Sequence, residues 1–281
     1  MKYGITGASG TLGRLTTDAL LKRVSASDVV LITRDPSKLA DSPAEVRAGD
    51  FSAPETLDVS GIDRLLIISL DTVGTRVEHQ KAAIKAAVAA GVQRIAYTSI
   101  PSPSHNNPAF VVPDHRETEL ALITSGAHWT ILRNAIYTEM YLGSAPAAIA
   151  SGTLVTNTGD GRAVNVSRAD CAEAAAAVLA GDEHDDRIYD ITGSEPIDSE
   201  GLAALYSELS GKPVAVVALD DDAWVAAMTE HGMHEGMARA FASFGEATRR
   251  GYAGIVSSAV EDLTGHAPRS LREVLAPGLS G

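Results

Sequence analysis

Lys2 to Gly13, KYGITGASGTLG, places three glycines three residues apart (Gly7, Gly10 and Gly13) directly behind a short apolar run. Tyr3 to Thr6 reads as a strand, and the amphipathic segment from Leu12 through Leu20 and Leu21 reads as a helix. In a strand–turn–helix unit of this kind the first glycine permits the sharp turn. The second lets a phosphate approach the backbone, and the third lets the helix pack closely on the sheet. The helix start offers unpaired N–H groups and a positive dipole end to a pyrophosphate. The strand before and the helix after make this a dinucleotide-binding turn rather than a chance glycine triplet.

Outward from that turn, strand and helix patterns alternate. Asp28 to Arg34 (DVVLITR) is a continuous apolar run, suited to a parallel strand buried on both faces. Further strands are expected at Val46–Ala48, Asp63–Ser69, Arg94–Ser99 and His128–Arg133. Helices are expected at Arg76–Ala90, stopped by Gly91, and at Pro113–Ser125, closing at Gly126. This pattern calls for an α/β fold, a Rossmann-type doubly wound parallel sheet with helices on both faces. The second half reads as a helix at Tyr137–Ala150, a glycine-punctuated stretch at Gly152–Gly161, and an alanine-rich helix at Arg168–Ala180 capped by Ser167. A short strand at Arg187–Thr192 follows, then helices at Asp198–Leu209, Asp222–His231 and His234–Arg249 around a strand at Pro213–Ala218. The expected division is a dinucleotide-binding domain over residues 1–150, with 162–195 returning to it. Residues 196–281 would form a smaller, mostly helical lobe over the carboxyl ends of the strands.

Composition narrows the function classes. With 281 residues, 45% hydrophobic and 21% charged, the chain can bury a large globular core. A net charge of −13 argues against a nucleic-acid partner, which needs a basic face. No apolar run approaches bilayer-spanning length, and the N-terminus enters a strand at once, so neither a membrane segment nor a signal peptide is expected. The single cysteine, Cys171, excludes an internal disulfide and suits a reducing cytoplasm; it reads as a small residue on an apolar helix face. The segment Asp170–Ala180 suits either the core or the interface of a homodimer.

The second strand selects the dinucleotide. An acidic residue at its end would bind the ribose hydroxyls of NAD, whereas an arginine accommodates the 2′-phosphate of NADP. Arg34 stands there, with Lys38 in support. Asp35 followed by Pro36 reads as a helix cap with proline at the first position, not as the ribose ligand. Asp50-Phe51, after the third strand, either flank the adenine or simply make a turn. Several chemistries are absent. No tyrosine is followed four residues later by a lysine, and no lysine occurs between Lys85 and Lys212, so the Tyr-x-x-x-Lys proton-donating pair is missing. There is no G-x-S-x-G elbow. His231 and His234 lack a third ligand at metal-binding spacing, so no metal is expected. Glu117 and Glu119 read as a solvated helix face.

Several further motifs carry a family resemblance: TGASGTLG at 6–13, TRDPSKL at 33–39, YTS at 97–99 and DHRETE at 114–119. ILRNAIYTEMYL at 131–142, VSRADCAEAAAAVL at 166–179, YDITG at 189–193 and LAALYSELSGKPV at 202–214 extend it nearly end to end. Together they resemble the NmrA-like atypical short-chain dehydrogenases, and within these the NAD(P)H:quinone oxidoreductase type 2 and triphenylmethane reductase branch. The resemblance implies NADP(H) in preference to NAD(H), and reduction of a small quinone-like acceptor or dye. By motif match, Gly7, Ser9, Gly10, Thr11, Leu12, Gly13, Arg34 and Lys38 would hold the diphosphate and the adenosine 2′-phosphate. Ser69 and Leu70 would lie beside the middle of the cofactor, and Thr98, Ser99 and Ile100 near the nicotinamide. His115 falls where relatives carry the lysine of the active-site helix, making it the candidate proton source. Asn134, Ala135, Ile136 and Tyr137 would line the cofactor–substrate junction, with Tyr137 a second catalytic candidate or ordinary core packing. The departure from the family pattern is Pro101–Pro113 (PSPSHNNPAFVVP), rich in proline and asparagine, where the wall of the substrate pocket is expected.

The expected activity is transfer of a hydride from NADPH to a flat electrophile. A quinone tolerates the missing Tyr-Lys pair better than a simple ketone, whose alkoxide needs a strong proton donor. Two other readings fit the same turn: a non-catalytic NADP-binding redox sensor, and a ketone reductase or alcohol dehydrogenase of a biosynthetic pathway.

Overall fold

The computed structural model describes residues 1–72 and 74–279. Its strands are β1 (Tyr3–Thr6), β2 (Val29–Thr33), β3 (Glu45–Ala48), β4 (Arg64–Ile67), β5 (Arg94–Ser99), β6 (His128–Asn134), β7 (Thr153–Thr156), β8 (Ala163–Val164), β9 (Arg187–Ile191), β10 (Pro196–Ile197) and β11 (Ala215–Ala218). The helices are α1 (Thr11–Leu21), α2 (Arg76–Ala89), α3 (Val112–Ile123), α4 (Tyr141–Ser151), α5 (Arg168–Ala180), α6 (Ser199–Ser210), α7 (Asp221–Glu230), α8 (Glu235–Arg249), α9 (Ala259–Thr264) and α10 (Leu271–Leu279).

Seven strands form one parallel sheet in the order β3-β2-β1-β4-β5-β6-β9, the doubly wound arrangement expected. Residues alternate between its two faces. Ile5, Leu31, Leu66 and Leu132 pack under α1, α5 and α9, while Val30, Ile32, Leu65, Ile67 and Ile131 pack under α2 and α3. That two-sided burial is why β2 and β4 are unbroken apolar runs. The chain leaves β1 for β2 on one side, and β4 lies on the other. Sheet order therefore reverses between β1 and β4, and the crevice above that point is where such sheets bind ligands.

The alanine-rich α5 lies in the core. Cys171, Ala172, Ala174, Ala175, Ala176 and Leu179 are all buried, in one cluster with Leu12 and Leu20 of α1 and with Ala259 and Val260 of α9. Its small side chains let α1 come close. Thr16 and Thr17 satisfy their buried hydroxyls by donating back to the Leu12 and Gly13 carbonyls, both at 2.8 Å. Ser167 caps α5 as expected, accepting from Asp170 N.

The smaller lobe gathers α4, α6 and α10 around Ala145, Ala148, Leu202, Tyr206 and Leu275. Two ladders stitch it: β7 runs parallel to β11, and β8 runs antiparallel to β10. In the sequence β7 reads only as a glycine-punctuated stretch, because its partner β11 is remote along the chain. Neither α9 nor α10 was expected, and α9 departs from the assignment of all of 196–281 to the lobe, since it packs back on the dinucleotide-binding half. Elsewhere the boundaries shift by a residue or two, except that the helix expected from Tyr137 begins as α4 only at Tyr141, after a 3₁₀ turn at Thr138–Met140. Asp198 and His234, expected inside helices, sit before α6 and α8 as caps.

Candidate functional site

The turn after β1 has the conformation its glycines imply. Gly7 is left-handed at φ +63°, and a Cβ on Gly13 would run into the Gly7 carbonyl and come within 2.7 Å of the Ala8 backbone. Only glycine allows α1 to sit this close to the strand. At Gly10, the residue before α1, a Cβ would stand 3.2 Å from the Gly7 carbonyl. No side chain caps α1, and its first turn holds no acidic residue. Its leading N–H groups are thus free for an anion, which is the environment a pyrophosphate needs. Ser9 Oγ is held 2.7 Å from Thr33 Oγ1 at the end of β2, and the Arg14 side chain donates to Ser9 O and Lys38 O.

Arg34, just past β2, is exposed and has no hydrogen bond or ion pair among the described residues. Asp35 is otherwise engaged. Its Oδ1 accepts from Ser37 N and Ser37 Oγ, capping a 3₁₀ turn at Pro36–Leu39 and holding the carboxyl below its usual pKa. The capping reading of Asp35 therefore holds, with a 3₁₀ turn in place of a helix. After β3, Asp50 makes the turn by accepting from Ser52 N at 2.9 Å. Phe51 is a correction: its ring is buried in the core with Val30, Ile32 and Leu57, so it offers no face to an adenine.

The remaining expected positions follow along the same carboxyl edge. Ser69 N donates to Thr98 Oγ1 at 2.9 Å, joining the ends of β4 and β5. Asn134, ending β6, donates to Tyr137 Oη at 3.2 Å, and its own Oδ1 is buried without a partner. The Ile136 carbonyl accepts from Val166 N (3.1 Å) and from the Asn165 side-chain amide (3.2 Å). Tyr137 packs against the core with Arg168 over its ring at 4.7 Å, and burial raises its phenol pKa, so it stays protonated. Ile100 is drawn into a small cluster with Val112 and Phe244.

His115 is buried on α3 with Nδ1 2.9 Å from Tyr97 Oη. Burial, and secondarily the Arg76 guanidinium, lowers its pKa to about 3, so at neutral pH the ring is uncharged. A proton offered by His115, the candidate proton source, would therefore be that of a neutral imidazole. Glu119 is a second correction. It is buried rather than solvated, paired with Arg133 (2.7 Å) and accepting from Ser99 Oγ (2.6 Å), while Glu117 alone is exposed. Ser99 thus has its side chain committed to α3.

Next to the end of β6 lies a cavity of about 510 Å³. Ile136 and Met140 line it on the sheet side, and Trp224, Met228, Met233, Phe241 and Phe244 of the smaller lobe close it. The lining contains no lysine, arginine or histidine, and its ionisable groups are Asp198 and Tyr141. The Tyr141 hydroxyl donates to Asn165 Oδ1 at 3.3 Å and burial raises its pKa. A mostly apolar cleft of this size suits a flat organic molecule larger than one ring. The loop at Pro101–Pro113, expected as a pocket wall, stands behind the wall instead. Phe110 meets Phe244 edge-to-face at 5.4 Å, and its N–H donates to Ser243 Oγ.

The family model for NAD(P)H-binding proteins matches residues 7–182. The chain belongs to that NAD(P)H-binding family. It is 37% identical over 274 residues to quinone oxidoreductase 2 of Escherichia coli, covering 96% of each protein. The crystal structure of an NADPH-dependent quinone oxidoreductase from Escherichia coli complexed with NADPH superposes with a TM-score of 0.94 at 36% identity, covering 98% of this chain and 99% of that one. The Citrobacter triphenylmethane reductase complexed with NADP(H) gives 0.93 at 33% identity, covering 99% and 100%.

Within this NAD(P)H-binding protein, sequence reasoning missed the aromatic and methionine wall. Trp224 and Met228 are one helical turn apart in α7, as are Phe241 and Phe244 in α8. That spacing marks a shared apolar face but does not say whether the face is core or cavity.

Proposed function

We propose that the protein is an NADPH-dependent reductase of quinone-like, flat electrophilic acceptors. The observation that carries the reading is the apolar cavity that begins at Ile136 and Met140, directly beyond the carboxyl edge on which the dinucleotide-binding turn lies. When bound, the cofactor supplies a hydride from its reduced nicotinamide. The chain's share is positioning: the glycine turn takes the diphosphate, Arg34 with Lys38 takes the 2′-phosphate, and the lobe stacks the acceptor and excludes water. No strong acid lines the cavity, so solvent supplies the proton that completes a hydroquinone, which requires no Tyr-Lys pair.

A redox sensor needs no open cleft beside the nicotinamide end of the site, and the cavity therefore favours catalysis. A cytoplasmic setting suits a chain whose one thiol is buried and free. No described helix is long and apolar enough to cross a membrane. A homodimer would have to form through a surface other than α5, which the chain itself covers.

Phe244→Ala tests the cavity. Removing the ring is expected to raise the KM for a naphthoquinone by roughly tenfold, in line with the loss of a buried aromatic contact, while NADPH binding is unchanged. An unchanged acceptor KM would place the acceptor elsewhere.

A further inference from the structure

Gln80, on α2, is fully buried, and its neighbours leave its amide one orientation. The Leu70 backbone N–H needs an acceptor and finds Gln80 Oε1 at 2.9 Å. Thr118 donates its hydroxyl proton to the Asp114 carbonyl, an atom that can only accept, at 2.9 Å. Thr118 Oγ1 therefore receives a proton from Gln80 Nε2, at 2.8 Å. The second Nε2 proton is directed to Tyr97 Oη at 3.3 Å. Tyr97 keeps its own proton to give, and His115 Nδ1 lies 2.9 Å from its Oη. Donation along that contact makes Nδ1 the acceptor and leaves the proton of the uncharged ring on Nε2. That nitrogen has no partner among the described residues.

We propose that Gln80 is a positioning residue whose one-way hydrogen-bond chain through Tyr97 fixes His115 as its Nε2–H tautomer, while the same amide pins Leu70 at the cofactor edge. Arg76, one turn earlier on α2, reinforces the arrangement. It donates to the Leu70 carbonyl at 3.1 Å and the Val111 carbonyl at 3.2 Å, and pairs with Asp114 at 2.8 Å. Both polar groups of Leu70 are therefore held by buried side chains that also hold α3. In that tautomer His115 would be a neutral Nε2–H donor, able to hold an oxygen by hydrogen bonding without giving up its proton. This role rests on the reading of α3 as the active-site helix of an NADPH-dependent reductase.

The tautomer can be read without turnover. In ¹⁵N-histidine NMR, His115 is assigned by the signal lost in His115→Gln. The parent is expected to show a protonated Nε2 and an unprotonated Nδ1; the reverse pattern, or a mixture, overturns the proposal. Gln80→Glu keeps the acceptor for Leu70 but presents Tyr97 with an acceptor where it had a donor. The Tyr97 proton then turns toward the introduced carboxylate and the His115 proton moves to Nδ1. The variant is expected to show that switch, with kcat lowered at least about tenfold and NADPH affinity within about twofold of the parent. An unswitched tautomer overturns the chain. A switched tautomer with unchanged kcat removes His115 from the reaction while leaving the chain and the reductase reading intact. Should Gln80→Glu fail to fold, Tyr97→Phe deletes one hydroxyl and is expected to leave both tautomers populated; a ring still held wholly as Nε2–H overturns the proposal.

Discussion

Arg34 has no hydrogen bond or ion pair among the described residues, while its neighbour Asp35 is spent on capping Ser37. On the proposed function, Arg34 is free to take a 2′-phosphate while Asp35 is not free to take the ribose hydroxyls, which would favour NADPH over NADH. A charge-assisted contact to phosphate contributes about 1.5–3 kcal/mol. Arg34→Ala is therefore expected to weaken NADPH binding by roughly ten- to a hundredfold and leave NADH binding unchanged, measured by fluorescence titration. Equal weakening for both would move the 2′-phosphate contact elsewhere. His115 makes a prediction about stability. In the unfolded chain a histidine takes up its proton near pH 6.5, and in the folded protein His115 does so only near 3. Between those values the unfolded state binds more protons, so the contribution is complete above pH 6.5 and is lost as pH falls toward 3. The slope is at most about 1.4 kcal/mol per pH unit for one group. Urea unfolding at pH 7 and 5.5 is expected to show a larger loss for the parent than for His115→Gln, and parallel losses would contradict the neutral buried ring. At this scale the cap made by Asp35 was legible in the sequence because it acts locally, on Ser37 two residues on. Glu119 was misjudged and Phe51 was left open between adenine and turn, because burial is decided by what lies above a residue in space.

Helices α7 and α8 carry most of the lobe's cavity wall and are fastened by a polar clasp centred on Asp221, besides the exposed Arg239–Asp222 pair. Asn157, just past β7, donates to Asp221 Oδ1 at 2.7 Å and to the Ala242 carbonyl at 2.9 Å. Arg249 completes it with a two-pronged grip on Asp221 at 2.9 and 2.8 Å. Gly245 is required there because the Asn157 amide occupies the space its side chain would take. Asn157→Ala would strip Asp221 and Ala242 of a buried donor, a loss of about 1–3 kcal/mol. The expected outcome is an acceptor KM raised several-fold and a Tm lowered by a few degrees, with NADPH affinity intact. An acceptor KM that does not move would mean that the wall does not depend on this clasp. None of this was legible in the sequence, where Asp221 falls just before the helix expected at Asp222–His231 and Asn157 within the glycine-punctuated stretch.

For the molecule as a whole, the doubly wound parallel sheet was legible because the central strands are apolar runs bounded by turn signals, unlike the half-exposed edge strand β3; the strand order came only with the structure. The glycine turn after β1 was legible for the same reason, since glycine spacing and strand ends are local properties. The cavity and the chain from Leu70 to His115 arise from segments tens of residues apart, and only the folded chain brings them together. The most direct test of the account is to titrate the purified protein with NADPH and with NADH, then add a simple quinone to the NADPH-loaded protein and follow the reduced-nicotinamide absorbance. The account predicts NADPH binding at least about tenfold tighter than NADH and prompt loss of the absorbance on adding quinone. Tight NADPH binding with no oxidation by any of several quinones and dyes would contradict the reductase function, and failure to bind either nucleotide would contradict the site itself.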